Sequence, residues 1–135
     1  MKYDDEKIAG DFSGPANYPE VNKAAIKEMH RQTGDLEINR DGVAQRGLLV
    51  RHLVLPDCLA GTEGIVNSLS REISRNTYLN IMAQYYPCHR AFQIPSLGRR
   101  TSSAEFQEAL SLAHRAGLRR LDKIHAAEGL QLCLK

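Results

Sequence analysis

The stretch "RGLLVRHLVLP", Arg46 to Pro56, constrains this chain more than any other. Read as a strand over Gly47–Leu55, it points Leu48, Val50, His52 and Val54 to one face and Leu49, Arg51, Leu53 and Leu55 to the other. Apolar residues on both faces fit a parallel strand covered by helices. Yet Arg51 and His52 stand side by side in its middle. A guanidinium cannot shed its charge, so a buried Arg51 needs a carboxylate or another anion. An internal ion pair and an anionic ligand would both serve. His52 needs only hydrogen-bond partners to be a core histidine.

The flanking segments supply the helices. "SGPANYP" marks a turn-rich lead-in. A helix is expected from about Pro19 to Thr33, with Val21, Ala24, Ala25 and Met29 as its apolar stripe and Gly34 as its stop. Asp41-Gly42 marks the turn of a small hairpin. After the strand, Thr62 is a candidate cap for a helix carrying Ile65, Val66, Leu69 and Ile73. A second strand spans Thr77–Met82, and the segment Gln84–Thr101 has no clear periodicity. A loop of more than about 12 residues in a compact domain is often functional. "SSAE" is a capping box, with Ser102 as cap and Glu105 reaching back. Phe106, Ala109, Leu110 and Ala113 line that last helix, Gly117 ends it, and "LRRLDKI" reads as a short third strand. Strands alternating with helices imply an α/β fold built on a parallel sheet. Two strong strands are few for such a domain, so the chain reads as part of a larger sheet.

Composition sets outer bounds. The chain has 135 residues, enough for one domain, and a net charge of +2 with acids and bases interspersed. No basic block suggests a nucleic-acid partner. No apolar run approaches the roughly 20 residues that cross a bilayer, and "MKYDDEKIAG" has no signal-peptide core, so a cytoplasmic location is expected. Cys58, Cys88 and Cys133 form no C-x-x-C pair and no disulfide framework.

Ligands of parallel α/β folds meet the sheet at the C-terminal ends of its strands. The second strand ends with Asn80, Met82 and Gln84 on one face, followed by Tyr85 and Tyr86. Amides and aromatics there suit a flat, polar ligand such as adenine, although core packing alone accounts for Met82 and one tyrosine. Cys88-His89 is one adjacent pair without a matching second pair, which does not make a metal site. "GTEG" matches neither the phosphate-binding loop nor the dinucleotide fingerprint, and no nucleophile elbow occurs. An independent hydrolase or kinase therefore lacks a motif.

The blocks "RGLLVRHLVLP", "GTEGI", "ISRNTYLNIMAQYYPCHRA" and "RRTSSAEFQEALSLAHRAGL" together resemble the C-terminal half of radical S-adenosylmethionine proteins similar to pyruvate formate-lyase activating enzymes. The likeness runs from about Tyr3 through Leu121. It implies a partial (β/α) barrel fragment, with parallel strands and covering helices, over residues 1–135. In the family, the first half carries a C-x-x-x-C-x-x-C loop for an iron–sulfur cluster. The cluster binds S-adenosylmethionine and generates a radical that abstracts hydrogen from a glycyl-radical enzyme. This sequence has no C-x-x-x-C-x-x-C, so the cluster is expected only in a complete protein and the chain alone is expected to be inactive. The resemblance implies cofactor contacts at Arg51, five positions before Pro56, and in the group Met82, Gln84, Tyr85 and Tyr86. It carries no role for His52, Cys88 or His89. The alternative expectation is a half-barrel that assembles with itself or with a separate N-terminal half.

Overall fold

The computed structural model describes residues 1–122. A helix precedes the turn-rich segment, which itself forms a turn at residues 14–17. "EKIAGDFS" forms helix α1, Glu6–Ser13, because Asp5 caps it by accepting the Ile8 N–H at 2.8 Å. Helix α2, Tyr18–Thr33, follows, and Gly34 closes it with a positive φ and an N–H donated to the His30 carbonyl.

The expected stripe on α2 is also corrected. Val21 and Met29 are 56% and 44% exposed, whereas Pro19 and Ile26 are buried. The helix turns its Ile26 row inward because one buried isoleucine removes more apolar area from water than alanines do, worth about 1.5–3 kcal/mol. His30, on the same row, reaches Asp35 at 2.9 Å.

The hairpin forms where Asp41-Gly42 places it. Strand β1 (Glu37–Ile38) pairs antiparallel with β2 (Ala44–Arg46), and the Asn39 side chain accepts the N–H groups of Asp41 and Val43 across the turn. Gly47 then lies at φ +99 with its Cα against the Asp35 backbone, where a Cβ would overlap the Asp35 carbonyl. That close approach joins the chain before β3 to Asp35, which bridges Leu48 in parallel.

Strand β3 (Leu49–Leu53) pairs in parallel with β4 (Tyr78–Met82), in the register Leu49 with Tyr78 through Leu53 with Met82. Helix α3 (Thr62–Ser68) connects them and continues as a π-helical turn over Leu69–Ile73. Helix α4, Ser103–Arg115, carries the expected capping box: Ser102 Oγ accepts the Glu105 N–H, and Glu105 accepts the Ser102 N–H at 2.7 Å. Gly117, φ +89, donates to His114 O just past its end.

Two further segments extend the parallel pair. Leu121 bridges Leu79 in parallel, where the third strand is expected; the rest of that strand, Lys123 and Ile124, and Cys133 lie outside the described residues. On the other side, Met1 donates its backbone nitrogen to Arg51 O and accepts from the Leu53 N–H, the bonding pattern of a parallel neighbour centred on His52. The architecture is thus mixed α/β with a small parallel sheet, and the described residues form no closed barrel.

The main core explains the layering. Val50 and Val54 of β3 and Leu79 and Ile81 of β4 pack with Ile26 of α2, Ile65 and Val66 of α3, and Phe106, Ala109 and Ala113 of α4. All three helices therefore lie on one face of the sheet. A smaller cluster of Tyr3, Ala9, Leu55 and Ala60, with Leu53 and Tyr85 alongside, closes the C-terminal end of β3. No helix among the described residues is long and apolar enough to cross a membrane.

Candidate functional site

The face of the sheet away from α2, α3 and α4 carries Leu49, Arg51 and Leu53 from β3, opposite Tyr78, Asn80 and Met82 from β4. The expectation of a strand buried on both faces is corrected here. Arg51 is exposed and Leu49 is 39% exposed, because α2, α3 and α4 cover the Val50, His52 and Val54 side and the α1 cluster reaches the other face only at Leu53 and Leu55. Alternation reveals two apolar faces but not whether a layer lies over each.

Arg51 donates from its guanidinium to Met82 Sδ at 2.9 Å. Thioether sulfur is a weak acceptor, and among the described residues Arg51 enters no ion pair. The internal ion pair considered from sequence is therefore not formed there. Directly opposite, Asn80 is buried. Its Nδ2 donates to Asp122 at 3.0 Å, while its Oδ1 has no partner among the described residues. A buried carbonyl oxygen without a donor costs about 1–3 kcal/mol. An exposed cation thus stands beside a buried acceptor without a donor on the same face of the sheet, and the exposed group fits a ligand that offers an anion.

The other expected ligand contacts divide. Met82 belongs to this face. Gln84 is exposed beyond the end of β4. Tyr85 turns away and donates its hydroxyl to Leu97 O at 2.9 Å; burial first, then Cys88 and Tyr3, push its pKa up. Tyr86 is 60% exposed, with the Arg100 guanidinium 4.7 Å above its ring.

His52 takes the core role. It is fully buried, its Nδ1 lies 3.2 Å from Met1 O and its Nε2 lies 2.9 Å from Thr62 Oγ1. A carbonyl only accepts, so Nδ1 carries the proton and Nε2 accepts from the threonine hydroxyl. Burial lowers its pKa to about 4, against the opposing pull of the Met1 carbonyl. The expectation that Thr62 caps α3 is corrected by the same contact: Gly61 occupies the cap, and the hydroxyl is directed at His52.

One cluster was not visible in the sequence. Arg99 donates to both oxygens of Glu105, at 2.7 and 2.9 Å, and to Asp57 at 2.6 Å. Glu105 also accepts the Asp57 N–H at 2.8 Å. The Arg99 hydrogen bonds hold the Glu105 carboxyl well below the usual carboxylate range. The clamp fixes the loop after β3, where Asp57 and Cys58 both adopt positive φ. "SSAE" gives away the capping box; nothing local announces that Glu105 also holds a loop 48 residues away.

A cavity of about 290 Å³ lies between this loop and the helices, lined by Leu55, Cys58, Glu63, Glu108, Leu112 and Arg115 among others. None of the expected ligand contacts lines it. Cys58 and Cys88 are free and exposed. Burial first, then Glu108, Glu105 and Asp57, raise the Cys58 pKa, which opposes a reactive thiolate. Among the described residues no three His, Cys, Asp or Glu side chains converge as a metal site.

No family model matches the chain, and no solved structure matches it. Over 121 residues, 87% of its length, the chain is 36% identical to the uncharacterized protein MJ0674 of Methanocaldococcus jannaschii. The match covers 31% of that protein, so the chain spans less than a third of its relative.

Proposed function

We propose that this chain is a section of a partial (β/α) barrel in a radical S-adenosylmethionine protein of the glycyl-radical activating type, supplying cofactor contacts and barrel wall. The observation that carries the reading is the one-sided layering: three helices cover one face of a parallel sheet, and the other face presents Arg51, with the unpartnered Asn80 oxygen buried beneath it. A barrel wall has this form, with helices outside and ligand-bearing side chains inside. Arg51 binds the anionic end or a hydrogen-bond acceptor of S-adenosylmethionine. Met82 and Gln84 lie along the path toward the adenine, with Tyr85 and Tyr86 beyond. When bound and reduced by the cluster of the completed protein, S-adenosylmethionine would supply the hydrogen-abstraction chemistry directed at a glycyl-radical enzyme. The cluster belongs to the polypeptide that completes the barrel.

The test is calorimetric titration of S-adenosylmethionine into the completed protein, meaning this chain together with a half that bears C-x-x-x-C-x-x-C. Arg51→Ala should weaken binding by more than about 1 kcal/mol, the loss of a charged hydrogen bond. Unchanged affinity would remove Arg51 from the site. If no such half is encoded in frame upstream of Met1 or on a separate gene, the radical reading falls.

A second reading, a non-catalytic half-barrel that pairs with itself or with a separate N-terminal half, is favoured by the exposed Leu49 on the uncovered face. Light scattering behind size-exclusion chromatography separates the two forms. A monomer at all concentrations counts against self-pairing.

A further inference from the structure

The loop Gln84–Thr101 leaves the C-terminal end of β4, and beyond its first three residues its side chains take no part in the cofactor path proposed above. It contains Arg90, Arg99, Arg100 and His89 and no carboxylate. It is also preformed. A 3-10 turn spans His89–Gln93, Leu97 N–H and Gly98 N–H both donate to Ile94 O, and Tyr85 holds Leu97 from below.

The loop exposes what a compact domain normally hides. Phe92 and Tyr86, at 64% and 60%, are the most exposed large hydrophobic residues described. Arg100 stacks over Tyr86. Arg99 is engaged by Asp57 and Glu105, but Arg90 and Arg100 enter no ion pair among the described residues. Aromatic residues and arginine are the side chains enriched at the energetic centres of protein interfaces. A loop already ordered loses little entropy when it binds.

We infer that this loop is a docking surface for an acidic polypeptide segment that carries an aromatic or large apolar residue. Carboxylates of the partner meet Arg90 and Arg100, and its apolar residue packs on Phe92 and Tyr86. Two unpaired guanidiniums neutralise few phosphates, so an acidic polypeptide is the partner the loop favours, and a single-stranded nucleic acid is the competing outcome of the test. The inference deepens the proposed function, since it gives the chemistry by which a protein substrate would be held at the mouth of the sheet. It rests on that reading only for the partner's role, and its test needs neither cofactor nor cluster.

The experiment is fluorescence anisotropy of the 135-residue chain with a labelled Glu- and Asp-rich peptide bearing one central Phe. Its Gln-substituted counterpart and an oligouridylate serve as competing probes. The acidic peptide should bind more tightly than both. The double variant Arg90→Glu/Arg100→Glu should weaken it by at least about tenfold, with loss of its salt dependence. Phe92→Ala should weaken it about fivefold while the circular dichroism spectrum stays unchanged. Undetectable binding to the unmodified chain, equal affinity in the double variant, or preference for the oligouridylate overturns the inference. Loop-dependent peptide binding with no S-adenosylmethionine binding in the completed protein would sink the radical reading and leave the docking surface standing.

Discussion

Thr62 Oγ1 stands 2.9 Å from His52 Nε2 and donates its proton there, so a β3 histidine and the first residue of α3 share one buried hydrogen bond. In this direction the bond uses neutral imidazole; protonation would reverse it, and burial is what disfavours the charged ring. In the unfolded chain His52 titrates near its ordinary 6.5, and in the folded protein near about 4. The unfolded state therefore binds the proton first as pH falls. His52 contributes stability that is fully present above about pH 6.5, declines through the interval and is gone below about pH 4. The span corresponds to an upper limit of about 3 kcal/mol. Urea denaturation at several pH values checks it. His52→Gln should flatten the slope between pH 6.5 and pH 4, and an unaltered slope would assign it to other groups.

The Arg99 clamp separates from the capping box by chemistry. Ser102→Ala removes the cap acceptor and should cost about 1 kcal/mol. Glu105→Gln keeps an oxygen able to serve the box and accept the Asp57 N–H but discards the charge that binds Arg99. Its loss should shrink as salt rises, whereas the Ser102→Ala loss should not. Thermal melts in low and high salt measure both. Identical salt responses would mean that the clamp contributes nothing.

Gly47 offers a harsher case. At φ +99, with the Asp35 backbone against its Cα, it has room for neither a left-handed side chain nor a Cβ. Gly47→Ala should destabilise by about 2 kcal/mol or more, from strained backbone and a displaced neighbour. Gly42→Ala, at φ +80 but in open space, carries the strain alone and should cost less. Equal losses in denaturant midpoint would show that the Asp35 contact is unimportant.

Leu49 tests the uncovered face. Leu49→Glu should leave the melting temperature of the isolated chain nearly unchanged, because the side chain is already partly in water. It should weaken any pairing with a second half or a second copy, read as a shift toward monomer by light scattering. A strongly lowered melting temperature would instead place Leu49 in the core of this chain.

Much of the frame was legible because its signals are local. The Ser102–Glu105 box, the Asp41-Gly42 turn and the two strands lie close to where the pattern puts them. α1 was missed because its cap, Asp5, stands among other acids and its apolar residues are diluted by Gly10. The α2 stripe was misplaced because periodicity measures the spacing of apolar residues and not which row a neighbour covers. Arg51 was read as buried for the same reason. The Arg99–Asp57–Glu105 contacts and the His52–Thr62 bond depend on tertiary approach, which leaves no trace in spacing.

The segment at Met1 also carries an entropic cost. Its bonds to β3 close a span of 50 residues, whereas the Arg51–Met82 contact between β3 and β4 closes 31. A longer closure costs more chain entropy, here by about 0.4 kcal/mol. The Met1 edge is therefore the entropically more costly of the two pairings, and Arg51 takes part in both.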